Sequence, residues 1–344
     1  MRKWRKYLLF GICCGFPLAV QAEADSANSV KPAYLPEIHG TIRAKYEYQP
    51  QISAGRFEVR NARFCLEGRV LPFVSYKAEI DLSDEGSIKM LDAYGRYSAM
   101  KNGCFTIGQM RVPFTIDAHR SPHQQYFANR SFIAKQVGNI RDVGATILYS
   151  WNAPFPITIE GGLFNGSGLT NQKDYWSKRV NYSVKAQLTP FKNVCVELSS
   201  QAIELGQIPV NMYDGGINFK IGGLFVEGEF LYKHYSKNAF QNVKAFDGFA
   251  CYDIPLRKSV FKKISLLARY DMMTDHSNGT TDDNGVLKLT DSERQRVTAG
   301  ITLSLHKPFI SDIRINYEKY FYKSGAAIKT SEKDKFVIEF MTRF

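Results

Sequence analysis

The sequence has few cysteines, and their positions exclude the common cysteine-based metal sites. Six occur among 344 residues, and the first two stand side by side in an apolar N-terminal stretch. The remaining four are dispersed along the chain: Cys65, Cys104, Cys195 and Cys251. They form no Cys-x-x-Cys unit and no compact zinc-site spacing. An oxidising compartment would permit a disulfide between them, but we expect free, buried thiols.

Beyond the N-terminus the sequence contains no long hydrophobic run. A transmembrane helix would need about 20 consecutive apolar residues. The first residues are typical of an exported protein. Basic RKWRK is followed by apolar YLLFGICCGFPLAV, with Val20 and Ala22 at the minus-three and minus-one positions of a cleavage site. We predict a signal peptide over residues 1–22, cleaved near Ala22. The adjacent cysteines would permit lipidation, but Ile12 stands where a small residue precedes a lipidated cysteine.

Charge of one sign is never concentrated in a long run. The chain has 45 Lys and Arg against 33 Asp and Glu, a formal net charge of +12. Removal of the four basic residues within 1–22, which contain no acid, lowers this surplus to +8. The surplus favours anionic partners. Nucleic acid is not expected for an exported protein whose basic residues are spread along the chain.

The sequence lacks the motifs of catalysis. It contains no G-x-S-x-G, and its six histidines show no pairing with a serine of the kind that barrel lipases use. Asp117, His119 and His123 could ligate a metal, but spacing alone is weak evidence. The stretch DHSNGTTDDNG lacks the glutamate and register of an EF-hand. We therefore predict no enzymatic activity, no metal and no cofactor.

What the sequence does contain is abundant aromatic residues, 13% of the chain, and persistent alternation of apolar and polar residues. In VSYKAEIDL, for example, Val74, Tyr76, Ala78, Ile80 and Leu82 alternate with polar residues. Successive side chains of a strand point to opposite faces, so such a segment has one apolar and one polar face. The pattern predicts sixteen strands: 37–48, 57–70, 73–82, 88–98, 103–109, 143–151, 156–165, 178–189, 193–202, 212–221, 224–235, 243–253, 261–272, 295–305, 310–322 and 335–344.

The predicted connections alternate in length. They are short and turn-like after even-numbered strands, and mostly longer and polar after odd-numbered ones, including 49–56 and 203–211. This asymmetry is typical of bacterial outer-membrane barrels. The predicted fold class is all-β: a sixteen-stranded antiparallel transmembrane β-barrel over residues 37–344, preceded by a periplasmic segment, 23–36. An even strand count puts both termini at the periplasmic rim, where Phe344 closes the last strand against the first.

Sixteen strands leave a lumen too wide for wall side chains to fill. The segment 110–142 combines apolar and basic residues, and we predict that it folds inward as the third loop and forms the constriction. Its apolar residues Phe114, Phe127, Phe132 and Ile133 indicate packing rather than free solution. Its basic side chains are Arg111, Arg120, Arg130, Lys135 and Arg141.

Strand parity assigns further charged side chains to the inner wall. A bulge near Asn61–Ala62 would bring both Arg60 and Arg63 inside, although their parities differ. One interpretation is a basic lining that raises the local anion concentration. The alternative is that these residues only provide the polar inner face that any water-filled barrel needs. With Asp92 opposing them, the predicted pore cations of the wall are Arg43, Lys45, Arg60, Arg63, Lys77 and Arg96.

Six motifs occur in order over residues 58–168: EVRNARFCLEGR, MLDAYGRYS, FTIGQMRVPF, FANRSFI, VGNIRDVGATILYS and GGLFNGSG. In these motifs the chain resembles the phosphate-selective porin O and P family. The resemblance implies a trimeric, sixteen-stranded outer-membrane channel. Inward loops form its constriction, and a ladder of arginines passes anions.

The resemblance also implies roles for single residues. It matches Arg60 to the first arginine of the family's Arg-Arg-Ala motif, Asp92 and Arg130 to constriction residues, and Ser121 to one of two adjacent serines. The chain departs from the pattern at Asn61 and Pro122, and the lysine expected before the serines is absent. These departures leave phosphate specificity open and an anion-leaning porin as the expectation.

We therefore expect an outer-membrane porin for passive diffusion of small hydrophilic solutes, leaning towards anions, with phosphate as one candidate. The expected partners are small anionic solutes, outer-membrane lipid, the barrel-assembly machinery and two further copies in a homotrimer. The alternative is a closed structural or adhesin-type barrel with loops 165–177 and 273–294 as binding surfaces. A soluble extracellular β-sandwich is the third option.

Overall fold

The structure, a computed structural model, describes residues 35–84, 87–137, 141–169, 172–205, 208–257, 259–306 and 310–344. The predicted signal peptide lies outside these residues, as does nearly all of the predicted segment 23–36. Within them the chain forms sixteen strands, each overlapping a predicted one: β1 Glu37–Gln49, β2 Ala54–Leu71, β3 Val74–Asp84, β4 Ser87–Tyr97, β5 Gly103–Arg111, β6 Arg141–Trp151, β7 Ile157–Phe164, β8 Asn181–Phe191, β9 Val194–Leu205, β10 Ile208–Ile221, β11 Leu224–Tyr235, β12 Val243–Pro255, β13 Phe261–Met273, β14 Arg294–Leu305, β15 Ile310–Tyr322 and β16 Lys335–Arg343.

The strands close into one antiparallel barrel in which every strand pairs with its neighbours in sequence and β16 pairs with β1. At the seam, the backbone of Phe344 exchanges two hydrogen bonds with Gly40, of 2.9 and 3.1 Å. A Cβ atom at position 40 would lie 2.1 Å from the Phe344 ring, so only glycine lets the ring cover the strand there. The predicted closure of the last strand on the first is confirmed.

The two faces of the wall differ as the alternation predicts. Large apolar side chains point outward, among them Phe57, Ile147, Leu163, Ile217 and Phe340, and Phe57 is 86% exposed. Polar and charged side chains point inward and are mostly buried. This distribution is the reverse of a soluble protein's and excludes the sandwich, because a sandwich buries its apolar face.

The connections are shorter than predicted at two places. β2 begins at Ala54 and β10 at Ile208, so the predicted loops 49–56 and 203–211 are largely strand. The ladder continues there, as the pairings Tyr48↔Gly55 and Pro209↔Glu204 show. The remaining long connections are 112–140, 165–180, 274–293 and 323–334.

The β1–β2 ladder contains a bulge close to its predicted position. Arg43 pairs with Asn61 and Ala44 with Val59, which leaves Arg60 as the extra residue. Arg60 is exposed, whereas Asn61 is buried. The four cysteines of the described residues are unbridged, and two of them, Cys195 and Cys251, are buried.

The helical segments are short. They are the 3-10 turns Pro50–Ile52, Asp117–His119, Pro122–Gln124, Ser236–Asn238 and Thr330–Glu332 and the π-helical turn Ile133–Val137. In the part of the chain that the structure describes, no helix is long and apolar enough to cross a lipid bilayer.

Candidate pore constriction

The connection between β5 and β6, residues 112–140 and here called L3, is described as far as Val137. Its backbone is hydrogen-bonded to side chains of strands on different sides of the barrel. Ile116 N–H donates to Glu229 of β11 over 2.5 Å, and Ala128 N–H donates to Asn316 of β15 over 2.8 Å. Arg43 of β1 donates to the Ala128 carbonyl over 2.6 Å. L3 is therefore held by inward-pointing groups from distant parts of the wall.

Apolar packing holds L3 against the same wall. Phe114, Phe132 and Ile133 are fully buried in a cluster with apolar side chains at the ends of strands β10–β13, including Met212 and Leu231. Phe127 belongs to a second cluster on β12 and β13. The four apolar residues predicted to pack are therefore buried, as expected.

One glycine of the wall makes room for L3. A Cβ atom at Gly216 would lie 2.4 Å from the Cδ1 atom of Ile116 and 2.8 Å from the Gly228 carbonyl oxygen. Next to this contact, Thr115 has a φ of 63°, in the left-handed region that β-branched residues such as threonine strongly disfavour. Its backbone is fixed by Ser199, which accepts from Thr115 N–H, and by Lys185, which donates to the Thr115 carbonyl over 2.7 Å.

The opposite part of the wall, strands β2–β6, carries a row of alternating charges. Arg63 donates to Asp81 over 2.9 Å and to Glu79 over 3.2 Å. Arg141 donates to Asp92 over 2.6 Å. Lys77 lies 3.5 Å from both Glu79 and Asp92. Each cation of this row therefore has an acidic partner, and Arg63 and Lys77 keep 14% and 23% of their side chains exposed.

Two arginines join this charged row to L3. Arg111 donates to the carbonyls of Ala118 and His119 over 3.1 and 2.5 Å. Arg130 donates to the carbonyls of Asp117 and Arg120. Both residues are partly exposed as a whole. They hold the turn around residues 117–120 through its carbonyl oxygens. Because these acceptors are uncharged, the hydrogen bonds do not neutralise the positive charge of the two arginines.

The guanidinium groups lie close enough to act on one another. Burial lowers the pKa of Arg130 well below its ordinary value, and Arg111, Arg63 and Arg43 lower it further, while Asp117 raises it. Burial alone would raise the pKa of Asp117, but Arg130, Arg120 and Arg269 bring it to about 2. Asp117 is therefore ionised at neutral pH and compensates part of the positive potential.

The structure thus brings together Arg63, Arg111, Arg130, Lys77 and Asp92 of the predicted site. It also places Arg141 among them. Their role in permeation stays a prediction.

Other predicted residues lie elsewhere. Arg43 and Lys45 are buried at the seam and bind Glu339 and Glu47, respectively. Arg96 is separated from the cluster and donates to Thr106 over 3.0 Å. Arg43 thus bridges the seam to β16, whereas Lys45 contacts its own strand, Glu58 of β2 and Asn129 of L3.

The remaining L3 residues also take separate positions. Arg120 turns to Glu227 of β11 and stacks over Tyr126, with 5.2 Å to the ring centroid. Lys135 donates to Glu332 of connection 323–334 over 2.9 Å. Ser121 begins the turn Pro122–Gln124, and its N–H donates to the Gln124 side chain over 3.1 Å.

Sequence reasoning missed the acidic groups that receive L3. They are inward-pointing carboxylates of β11 and β13. Glu227 accepts from Arg120, Glu229 from Ile116 N–H and Asp271 from Phe132 N–H. Strand parity would have found them, because Glu227 and Glu229 alternate with apolar residues on β11.

The closed sixteen-stranded barrel, apolar outside and polar inside, has the porin fold. Solved porin structures have the same fold. They include the outer-membrane channel DcaP of Acinetobacter baumannii (TM-score 0.61, 13% identity, 93% of this chain and 100% of that one). The anion-selective porin from Comamonas acidovorans is similar (0.60, 11%, 90% and 98%), as is OmpT of Vibrio cholerae in its trimer form (0.60, 11%, 91% and 100%).

The family match is more specific than the fold. Residues 38–205, from β1 to the end of β9, match the model of the family described as phosphate-selective porin O and P. The resemblance seen in the sequence motifs is confirmed. No curated protein matches the chain.

Proposed function

We propose that the protein is an outer-membrane porin through which small hydrophilic solutes diffuse passively, with a preference for anions. The observation that supports this most is the cluster of partly exposed cations, Arg63, Lys77, Arg111 and Arg130, between L3 and strands β2–β6. Positive groups in a narrow path with low-dielectric walls raise the local anion concentration. The anion-selective porin from Comamonas acidovorans has the same fold.

L3 forms the constriction in this proposal. Its backbone contacts with β1, β11 and β15 support a course through the lumen, because these strands lie on different sides of the closed wall. The apolar clusters fill the space between L3 and strands β10–β13. The water-filled path then lies on the side of the charged row.

Phosphate is one candidate solute, as the family's description indicates. A phosphate needs several cationic and hydroxyl donors converging on it. Arg63 and Lys77 already have carboxylate partners, so we propose a general preference for anions rather than a dedicated phosphate site.

The assembly and export of the protein follow from the same proposal. We expect a homotrimer, a form recorded for OmpT of Vibrio cholerae. We also expect cleavage of residues 1–22 near Ala22, and insertion by the barrel-assembly machinery, which would recognise the terminal strand ending at Phe344. Chemical cross-linking and the size of the detergent-solubilised protein test the trimer.

Reversal potentials across planar bilayers test the selectivity. Under a KCl gradient we expect chloride to be more permeant than potassium. A permeability ratio in favour of potassium would overturn the anion preference but not the proposal that the protein is a porin. Adding phosphate at constant chloride should reduce the chloride current only weakly if no dedicated phosphate site exists.

A closed structural barrel is the second candidate, and the dense packing of L3 in two apolar clusters favours it. Such a barrel would insert and remain without conductance.

A further inference from the structure

A cavity of about 260 Å³ lies on the far side of L3 from the charged row. It is enclosed by the L3 turn at Tyr126 and by the inner faces of β10–β15 near their short connections. Lys220, at the end of β10, and Phe225, at the start of β11, both line it. The cavity therefore belongs to the mouth at which the short turns lie.

One wall of the cavity is aromatic. The rings of Tyr126 and Phe225 are stacked, with centroids 5.2 Å apart and planes 9° from parallel. The Phe249 ring lies 4.7 Å from Tyr126 behind them. Arg120 lies over the Tyr126 ring as well. Tyr126 and Phe225 are only partly buried, so the parts of the two rings that remain exposed offer aromatic contact to a further ring.

A cation stands directly beside the aromatic wall. Lys220 is the cross-strand partner of Phe225 in the β10–β11 ladder. Directly opposite residues share a face, and their Cβ atoms are about 5 Å apart. Lys220 is exposed, and among the described residues no salt bridge involves it.

Three other cations around the cavity have acidic partners. Lys263 lies 2.7 Å from Asp253, Arg314 lies 3.3 Å from Asp312, and Arg120 is bonded to Glu227. Arg343 reaches the cavity through its bond of 2.6 Å to the lining residue His123. The cations at the cavity for which no ion pair is seen among the described residues are therefore Lys220, beside the aromatic wall, and Arg343.

We propose that this cavity binds small aromatic carboxylates, with the ring against Tyr126 and Phe225 and the carboxylate on the Lys220 ammonium. The size of the cavity fits a ligand smaller than a typical drug molecule. A carboxylate there gains a charge-assisted hydrogen bond, and the ring gains stacking and apolar contact. This site rests on the proposed function only because the pore mouth gives the ligand its access.

Titration calorimetry of the detergent-solubilised protein with benzoate tests the site. Benzoate should bind, whereas benzyl alcohol, which lacks the charge, and cyclohexanecarboxylate, which lacks the aromatic ring, should each bind more weakly. Lys220→Gln should weaken benzoate binding about tenfold, the size expected for one hydrogen bond to a charged group. Phe225→Leu should weaken benzoate binding but leave cyclohexanecarboxylate binding nearly unchanged.

Lys192→Gln is the matched control. Lys192 is an exposed lysine in the turn between β8 and β9, on the same rim and outside the cavity. Heat-shifted migration in gels shows that each variant is folded. Absence of benzoate binding to the wild type, or equal binding by Lys220→Gln, overturns the site.

Conductance of the same preparations separates this site from the proposed function. Benzoate binding without conductance would support the proposed site and refute the proposed channel function. Conductance without benzoate binding would refute the site and support the channel function.

Discussion

Arg43 and Glu339 form a buried ion pair across the seam at which the last strand meets the first. Arg43 donates from Nε over 2.9 Å and from Nη2 over 2.5 Å to one carboxylate oxygen of Glu339, and the two side chains are 2% and 0% exposed. The same guanidinium donates to Gln125 and Ala128 of L3. One side chain thus joins the closure of the barrel to the position of L3.

Arg43→Met should lower the free energy of unfolding by about 3–5 kcal/mol, because it leaves the Glu339 charge buried with fewer partners. The urea midpoint of the folded band in gels measures this loss. The double variant Arg43→Met, Glu339→Met should recover a substantial part of it. Equal stability of the single variant and the wild type would mean that the pair does not hold the seam.

Arg130→Gln should lower the permeability of chloride relative to potassium, because it removes one positive charge between L3 and the charged row. Arg179→Gln is the control, since Arg179 is exposed in connection 165–180. Reversal potentials under a KCl gradient give both ratios. An unchanged ratio for Arg130→Gln would remove Arg130 from the ion path.

Asp92→Asn should change selectivity in the opposite direction. It removes the carboxylate that accepts from Arg141 over 2.6 Å and lies 3.5 Å from Lys77. Both cations then act more strongly on a passing ion, so the chloride-to-potassium ratio should rise in the same measurement. A fall in that ratio would contradict the placement of the charged row along the ion path.

Gly216→Ala should loosen L3. The new methyl group would need the space of the Ile116 side chain and of the Gly228 carbonyl, and overpacking of this kind costs about 1–3 kcal/mol. Amide exchange over residues 112–137, followed by mass spectrometry, should become faster. Gly228→Ala is the control, because a Cβ atom there meets nothing within 4 Å. Equal exchange in the two variants would argue against the contact between Ile116 and the wall.

Acidification should open connection 274–293. Its His276 lies 3.2 Å from Asp291 and 3.2 Å from Lys233 of β11. Burial lowers the pKa of His276, and Lys233 and Arg294 lower it further, although the hydrogen bond to Asp291 raises it. The folded loop therefore resists protonation more than the unfolded chain does.

A lowered folded pKa means that His276 stabilises the loop fully above its ordinary pKa of about 6.5, and that this stability is lost as the pH falls below it. Amide exchange of residues 274–293, corrected for the intrinsic effect of pH, should be faster at pH 5.5 than at pH 7.5. His276→Gln should abolish the difference, and His234→Gln, which changes a partly exposed histidine, should not. Equal protection at both values in the wild type would refute the mechanism.

The strands could be predicted from the sequence because their signal is local. Alternation in VSYKAEIDL is a property of neighbouring residues, and the same alternation assigned Arg63 and Lys77 to the inner face. The loops 49–56 and 203–211 were predicted too long, because the β-ladder continues beyond the predicted strand ends.

The partners of the charged side chains could not be predicted from the sequence. Arg120 binds Glu227, more than a hundred positions away in the chain, and Arg43 binds Gln125. Such contacts depend on the course of L3, which no local pattern specifies. Parity therefore found the cations, but it could not separate those that close the seam from those that remain partly exposed.

Single-channel conductance of the purified, folded protein in planar bilayers tests the central claim most directly. The account predicts discrete, long-lived current steps in KCl, with chloride as the more permeant ion. Inserted, folded protein that gives no steps would contradict it and would identify the molecule as a closed barrel.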